Sequence, residues 1–229
     1  MMEPAFYPKP PKDVTHKETH ISHVFLAGDM VYKVKKPVQF SFLDFSTLAR
    51  RRHFLQEELR LNRRLAPSVY LGVMPLFFDR DGWRLGGRGE AAEYTLAMRR
   101  LPEKRMLDFL LETKQVTAAM MEQLADRLVE FHAAAEPIRG ITPDAHVAAA
   151  RGEWSKNLDE LEPLAQPAAR PDRERDGQYG ARFLEGNSAL MARRAADGWV
   201  RDVHGDLHAE HICFAPEGIQ IFDCIEFSD

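Results

Sequence analysis

Cysteine is nearly missing from this chain: Cys213 and Cys224 are its only two among 229 residues. That count excludes a small secreted scaffold stapled by disulfides. Their places on the two strands of one expected hairpin put them within reach of each other, yet two reduced thiols in a cytosolic core is the reading adopted. An apolar run long enough to span a bilayer is absent as well. Met1 to Pro11 carries prolines instead of the apolar stretch of a signal peptide, so a cytoplasmic location is expected. An excess of positive charge is lacking: the formal net charge is −4, which argues against a nucleic-acid partner despite local arginine clusters. Neither an internal repeat nor a low-complexity tract occurs, and no G-x-x-x-x-G-K-S/T phosphate loop is present. What remains is an ordinary globular composition, with 45% hydrophobic and 29% charged residues, in a chain long enough for one domain of two lobes.

The most informative stretch is His204-Gly205-Asp206-Leu207-His208-Ala209-Glu210-His211, followed by Ile221-Phe222-Asp223. Before it, Trp199 to Val203 reads as a short extended segment. After it, Ile212-Cys213-Phe214 and Ile219 to Phe222 read as a β-hairpin around a Pro216-Glu217-Gly218 turn. Asp206 then enters the hairpin and Asp223 leaves it, and a hairpin brings its ends together, so both carboxylates can face one cleft. Phosphoryl transfer asks for such a pair, one acid beside the attacking hydroxyl and one holding a divalent metal against the nucleotide phosphates. The plain alternative is an Asp capping a turn beside histidines that bond nearby backbone. A sharper rival is a zinc hydrolase, because His204, Asp206, His208 and His211 offer three imidazoles and a carboxylate.

The same stretch resembles the aminoglycoside phosphotransferase family of the protein-kinase-like superfamily, whose catalytic loop reads H-G-D-x-x-x-x-N with a metal-binding Asp one hairpin later. His204, Gly205 and Asp206 match, as does Asp223 within Phe222-Asp223-Cys224-Ile225-Glu226-Phe227. His211 stands where the family has a metal-binding Asn. Mg²⁺ prefers oxygen ligands, so an imidazole there loosens the second metal site or favours Mn²⁺. With Glu18-Thr19-His20-Ile21-Ser22 and Val31-Tyr32-Lys33-Val34-Lys35-Lys36-Pro37-Val38, the resemblance runs from about Thr19 to Asp229. It is closest to the kinase-like half of bacterial aminoglycoside phosphotransferase/ATP-binding fusion proteins. It implies an α+β, two-lobed protein-kinase-like fold: an N-lobe of small antiparallel sheet and helix over residues 1–101, and a mainly helical C-lobe over 102–229. The chain is expected to end before the family's C-terminal helices, and longer relatives are expected to add a P-loop ATP-binding domain.

Val24 to Ala27 and Met30 to Lys35 flank a Gly28-Asp29 turn and read as a hairpin. Period-two alternation puts Lys33 and Lys35 on one face. The resemblance implies that a strand lysine here contacts the α- and β-phosphates and is braced by a helix glutamate; Lys33 is favoured, with Lys35 as the other register. Taken alone, either is an ordinary surface lysine. Asp44 or Ser46 can cap a helix from about Thr47 to Leu65 with Leu48, Leu55, Leu59, Leu61 and Leu65 as its apolar stripe, while its arginines project to solvent or an acidic partner. Glu58 shares a face with Leu61 and Leu65 and so points inward as the partner of Lys33, with Glu57 as the adjacent alternative. The bland reading is an intrahelical pair with Asn62 or Arg51. No glycine-rich loop precedes Val24, so backbone amides and the Ser22 hydroxyl are expected to cover the phosphates.

Val69 to Phe78 and Gly82 to Leu85 read as strands around Asp81-Gly82, and Glu93 to Met98 as a further strand that Arg99-Arg100-Leu101-Pro102 ends. The resemblance makes Met98 to Leu101 the adenine hinge. Beyond it, Met106 to Glu112 is a short helix, and Thr117 caps a longer one to about Ala135 with Met121, Leu124, Leu128 and Phe131 buried; His132 reads as a terminal or core histidine. Pro143 to Leu164 is helical. Pro163 to Gly180, rich in proline and charge, reads as a surface loop or mobile insert, and Phe183 to Ala196 as the last helix before Asp197-Gly198.

The expectation is therefore an ATP-dependent phosphotransferase acting on a hydroxyl of a small molecule, with Asp206 catalytic, Asp223 and His211 on Mg²⁺ or Mn²⁺, and Lys33, Glu58, Ser22, Met98 and Leu101 binding the nucleotide. His204 is expected to buttress the loop, and Glu226 to join the metal site or bind an arginine. The alternatives are a nucleotide-binding module without turnover and the zinc hydrolase.

Overall fold

The computed structural model describes residues 1–80, 82–161 and 170–226. Asp81, Pro163, Pro167 and Phe227, which figured in the sequence reading, lie outside the described residues, as does Asp229. The chain divides into two compact units, residues 1–131 with 204–229, and residues 132–203. The expected lobe boundary after Leu101 falls within the first unit.

The first unit is built on a six-stranded antiparallel sheet. In chain order its strands are β1 (Val14–Glu18), β2 (Ser22–Ala27) and β3 (Met30–Lys35); a separate small hairpin of β4 (Gln39–Phe40) and β5 (Leu43–Asp44) follows, then helix α1 (Leu48–Asn62), β6 (Tyr70–Asp79), β7 (Gly82–Leu85) and β8 (Glu93–Arg99). The sheet order is β1-β2-β3-β8-β6-β7. β1 and the small hairpin are additions to the strands expected from sequence. Ala27 pairs with Met30, leaving Gly28 and Asp29 as the whole turn, and Gly28 has φ +63°, a conformation that costs glycine little.

The N-cap of helix α1 is neither expected residue but Thr47, one position after Ser46, its side chain accepting the Arg50 amide, while Asp44 instead accepts from the Ser46 amide and hydroxyl. Arg51 does not reach solvent. It is buried, pairs with Glu93 at 2.7 Å and donates to the Phe45 and Ser46 carbonyls, fastening the start of α1 to the start of β8. Leu55 and Leu59 pack with Val69, Tyr70 and Leu96 on the sheet, and this fixes which side of α1 faces inward.

Helices α2 (Leu107–Glu112) and α3 (Ala118–Ala134) then contribute Leu107, Leu110, Leu124 and Phe131 to a second core, shared with Ile212, Phe214 and Ile221 of the hairpin β9 (Ile212–Ala215) and β10 (Gly218–Ile221). Cys213 and Cys224 are both buried and free; Cys224 lies beyond β10, not on it, and burial pushes each thiol up to about 11.

The second unit holds α4 (Pro143–Leu161) and α5 (Arg170–Ala196). Here the sequence reading needs correction: α5 begins at Arg170, so the described part of the supposed loop up to Gly180 is helix. Proline at position 171 falls in the first turn, where a missing N–H costs nothing, and the charged run consists largely of good helix formers. Glycine at 180 has a packing role, since a Cβ there would overlap the Trp154 ring of α4.

Candidate active site

Strand β3 carries Lys33 and Lys35 on one face, and α1 brings Glu58 beneath them. The two lysines were read as alternative registers; both in fact reach the same carboxylate. Lys33 Nζ donates to Glu58 Oε1 at 2.8 Å and Lys35 Nζ to Oε2 at 2.9 Å. Glu57 turns outward to Arg60. Glu58 and Lys35 are essentially sealed from solvent, an arrangement that would be costly for any of these charges alone. Burial works against the charged form of Glu58, but Lys33 and then Lys35 outweigh it and hold the carboxyl below its usual range. Lys35 also donates to Glu226, so the cation that Glu226 binds is a lysine and not the expected arginine. Burial, then repulsion from Glu58, raises the Glu226 carboxyl.

Lys33 makes a further ion pair with Asp223 Oδ1 at 2.9 Å. Burial opposes the Lys33 charge, but Asp223 and then Glu58 hold its pKa well above the usual value. Lys33 in turn pulls Asp223 down to about 2, against the effect of burial. Asp223 has φ +63°, and three partners hold the segment. Its amide donates to the Tyr70 hydroxyl at 3.2 Å, the Cys224 amide donates to Asn62 Oδ1 at 3.0 Å, and the Phe222 amide donates to the His211 carbonyl. Asn62 completes the link by donating to the Glu58 carbonyl, so α1 supports both the lysine brace and the segment after β10.

The loop before β9 is fastened to the same segment. His204 is buried and donates from Nε2 to the Phe222 carbonyl at 2.9 Å, while its Nδ1 accepts the Asp206 amide and its own carbonyl accepts the Ile225 amide. Both ring nitrogens are thus engaged in the neutral form, which burial favours by lowering the pKa. Gly205 has φ +86°, and an added Cβ would stand 3.2 Å from Ile225, so the loop needs glycine for two reasons. Asp206 is left with a 56% exposed side chain. His211 donates from Nδ1 to the Asp206 carbonyl at 2.8 Å, which leaves Nε2 facing Asp223 Oδ2 at 3.6 Å.

A cavity of about 650 Å³ opens onto Lys33, Glu58, Asp206 and Asp223, and Met98 and Leu101 are on its wall. The structure therefore brings together Lys33, Glu58, Asp206, Asp223, Met98 and Leu101, with His211 beside Asp223. Ser22 is the exception. Its hydroxyl is buried without a hydrogen-bond partner next to Lys35, its cross-strand neighbour, and it is not on the cavity wall; Lys17 and Thr19 of the β1–β2 hairpin are. In the sequence reading Asn62 is only an intrahelical partner of Glu58, and nothing points to Tyr70, which is buried against the segment after β10, or to Asp108, which lines the cavity with one buried carboxylate oxygen lacking a partner. Their only signal was a polar group at the edge of an apolar stripe.

The four-ligand zinc set shrinks to three. Asp206, His208 and His211 each offer an atom within 4.8 Å of the others, whereas both nitrogens of His204 are committed elsewhere.

Compared with known proteins, residues 28–226 match the model of a family described as phosphotransferase enzymes. The uncharacterized protein Rv2004c of Mycobacterium tuberculosis and the uncharacterized protein Mb2027c of Mycobacterium bovis are each 33% identical over 214 residues, a span covering 93% of this chain and 41% of each relative. The chain thus spans about two-fifths of the length of the curated relatives it matches.

Proposed function

Since the chain belongs to the phosphotransferase enzyme family, we propose that it transfers the γ-phosphate of ATP to a hydroxyl of a small molecule. The observation that carries this reading is the convergence of Lys33, braced by Glu58, on Asp223, with Asp206 on the same cavity wall. Lys33, held charged, takes the nucleotide phosphates. Asp206 is open to solvent and to the cleft, so it receives the acceptor hydroxyl and orients or takes its proton. Met98 and Leu101 flank the adenine, and the unpartnered oxygen of Asp108 suits the ribose hydroxyls, since a buried acceptor gains most from a donor.

The residues present fit a divalent cation. Asp223 stays ionised over the whole physiological range, and the hydrogen bond at His211 Nδ1 leaves Nε2 as the nitrogen beside it. One carboxylate and one imidazole accept Mn²⁺ as readily as Mg²⁺. Bound there, the cation supplies positive charge to neutralise the phosphate oxygens. We further propose a cytoplasmic location and a small-molecule hydroxyl as the partner; among the described residues no helix is long and apolar enough to cross a membrane.

The test is a screen of hydroxylated compounds for phosphate transfer from γ-labelled ATP, run on wild type and Asp206→Asn. Label on a compound with wild type alone supports the proposal. ATP binding without transfer to any acceptor would favour the module without turnover, and hydrolytic activity that tracks bound zinc and ignores Lys33→Ala would favour the hydrolase.

A further inference from the structure

The hairpin of β1 and β2 has two faces. Lys17, Val24 and Leu26 line the cavity, and because side chains alternate along a strand, His16, Glu18 and His23 lie together on the opposite face. The register places Glu18 directly across from His23 and His16 across from Phe25. His16 Nε2 and His23 Nδ1 stand 3.1 Å apart, and one donor atom from each of His16, Glu18 and His23 falls within 4.8 Å of the other two. Two imidazole nitrogens bound to one tetrahedral zinc are about 3.3 Å apart, given Zn–N bonds of about 2.0–2.1 Å, so the observed pair, now joined by a hydrogen bond, already stands near that separation, and an ion would take the place of the shared proton.

The ligands are also held in place. The His16 ring stacks on Phe25 with centroids 4.8 Å apart and planes 20° from parallel, which limits its rotation. Glu18 now pairs with Lys36 at 2.5 Å, but Lys36 Nζ also donates to the Thr19 carbonyl at 2.6 Å, so it retains a partner when an ion takes the carboxylate.

We propose that His16, Glu18 and His23 form a site for a zinc-class divalent cation that clips edge strand β1 to β2 behind the cleft. Two imidazoles and one carboxylate select zinc, cobalt or nickel over magnesium and calcium, which prefer all-oxygen shells. The clip holds the strand that carries Lys17 and leads to Thr19 on the cavity wall, and it is separate from any metal beside Asp223.

The experiment is titration of the full chain with zinc alone, read by competition with a chromophoric chelator. Because Asp206, His208 and His211 offer a rival site and the cation site proposed beside Asp223 uses His211, every titration uses a His208→Ala/His211→Ala background. One equivalent of zinc is expected, with affinity falling on the order of 10–100-fold in His16→Ala and in His23→Ala. In Lys36→Met affinity is expected to rise, because the competing cation is gone; a merely structural role for the histidines would not produce that gain. Unchanged affinity in both histidine variants, or no uptake by the parent protein, would overturn the proposal. Far-ultraviolet circular dichroism verifies that these surface variants keep their fold.

Discussion

The two sides of the cleft are built by opposite strategies. On the sheet side Lys33, Lys35, Glu58 and Glu226 satisfy one another in the interior, so the charges are aligned before any nucleotide arrives. On the loop side Asp206 and His208 are exposed and touch each other only loosely, at 3.7 Å. Position is fixed there by His204 and Gly205, while the functional groups are left open. Under the proposed function the difference separates binding from chemistry: the buried side preorganises the proposed phosphate site at a cost in charge burial, and the open side leaves room for the proposed second substrate.

The largest effect that would sharpen this contrast is Glu58→Ala, which leaves two lysines facing the remaining carboxylates without their shared partner. A loss of about 3–5 kcal/mol in urea unfolding is expected. Asp206→Asn tests the open side. Turnover should fall on the order of 10²–10⁴-fold, while stability stays within about 0.5 kcal/mol of wild type; a large stability loss would show that the loop is structural after all. Acid unfolding probes the junction at Asp223. Lys33 holds the Asp223 carboxyl down at about 2, below the ordinary aspartate value of about 3.9, so its contribution is complete above about pH 4 and is lost as pH falls towards 2. Asp223→Asn should flatten that part of the stability profile. The smallest change is expected for Arg60→Ala on the exposed face of α1, whose bond to Glu57 lies in solvent and contributes about 0.3–0.5 kcal/mol.

Much of this was legible in the chain because it obeys local periods. Strand alternation put Lys33 and Lys35 on one face, and helix spacing turned Glu58 inward with Leu61. Lys33 was favoured over Lys35, but the choice was not exclusive for a physical reason: a carboxylate has two oxygens, and each lysine takes one. Tyr70, and the reach of Asn62 beyond its own helix, stayed hidden because they act on Asp223 and Cys224, partners remote in sequence and reached only after the sheet and β10 are assembled. Ser22 was misplaced because the absence of a glycine-rich loop suggested a hydroxyl substitute, whereas the register sets it against Lys35. The full length of α5 was obscured by a proline that falls harmlessly in its first turn, and by Gly180, whose need for closeness to Trp154 no local pattern reveals.

The central claim is that Lys33, Glu58 and Asp223 form a metal-dependent nucleotide site, and thermal unfolding with ATP and Mg²⁺ or Mn²⁺ tests it most directly. Wild type should gain thermal stability only when nucleotide and metal are both present, and Asp223→Ala should lose that gain. A wild-type protein indifferent to ATP and metal, or an Asp223→Ala variant that responds as wild type does, would contradict the account.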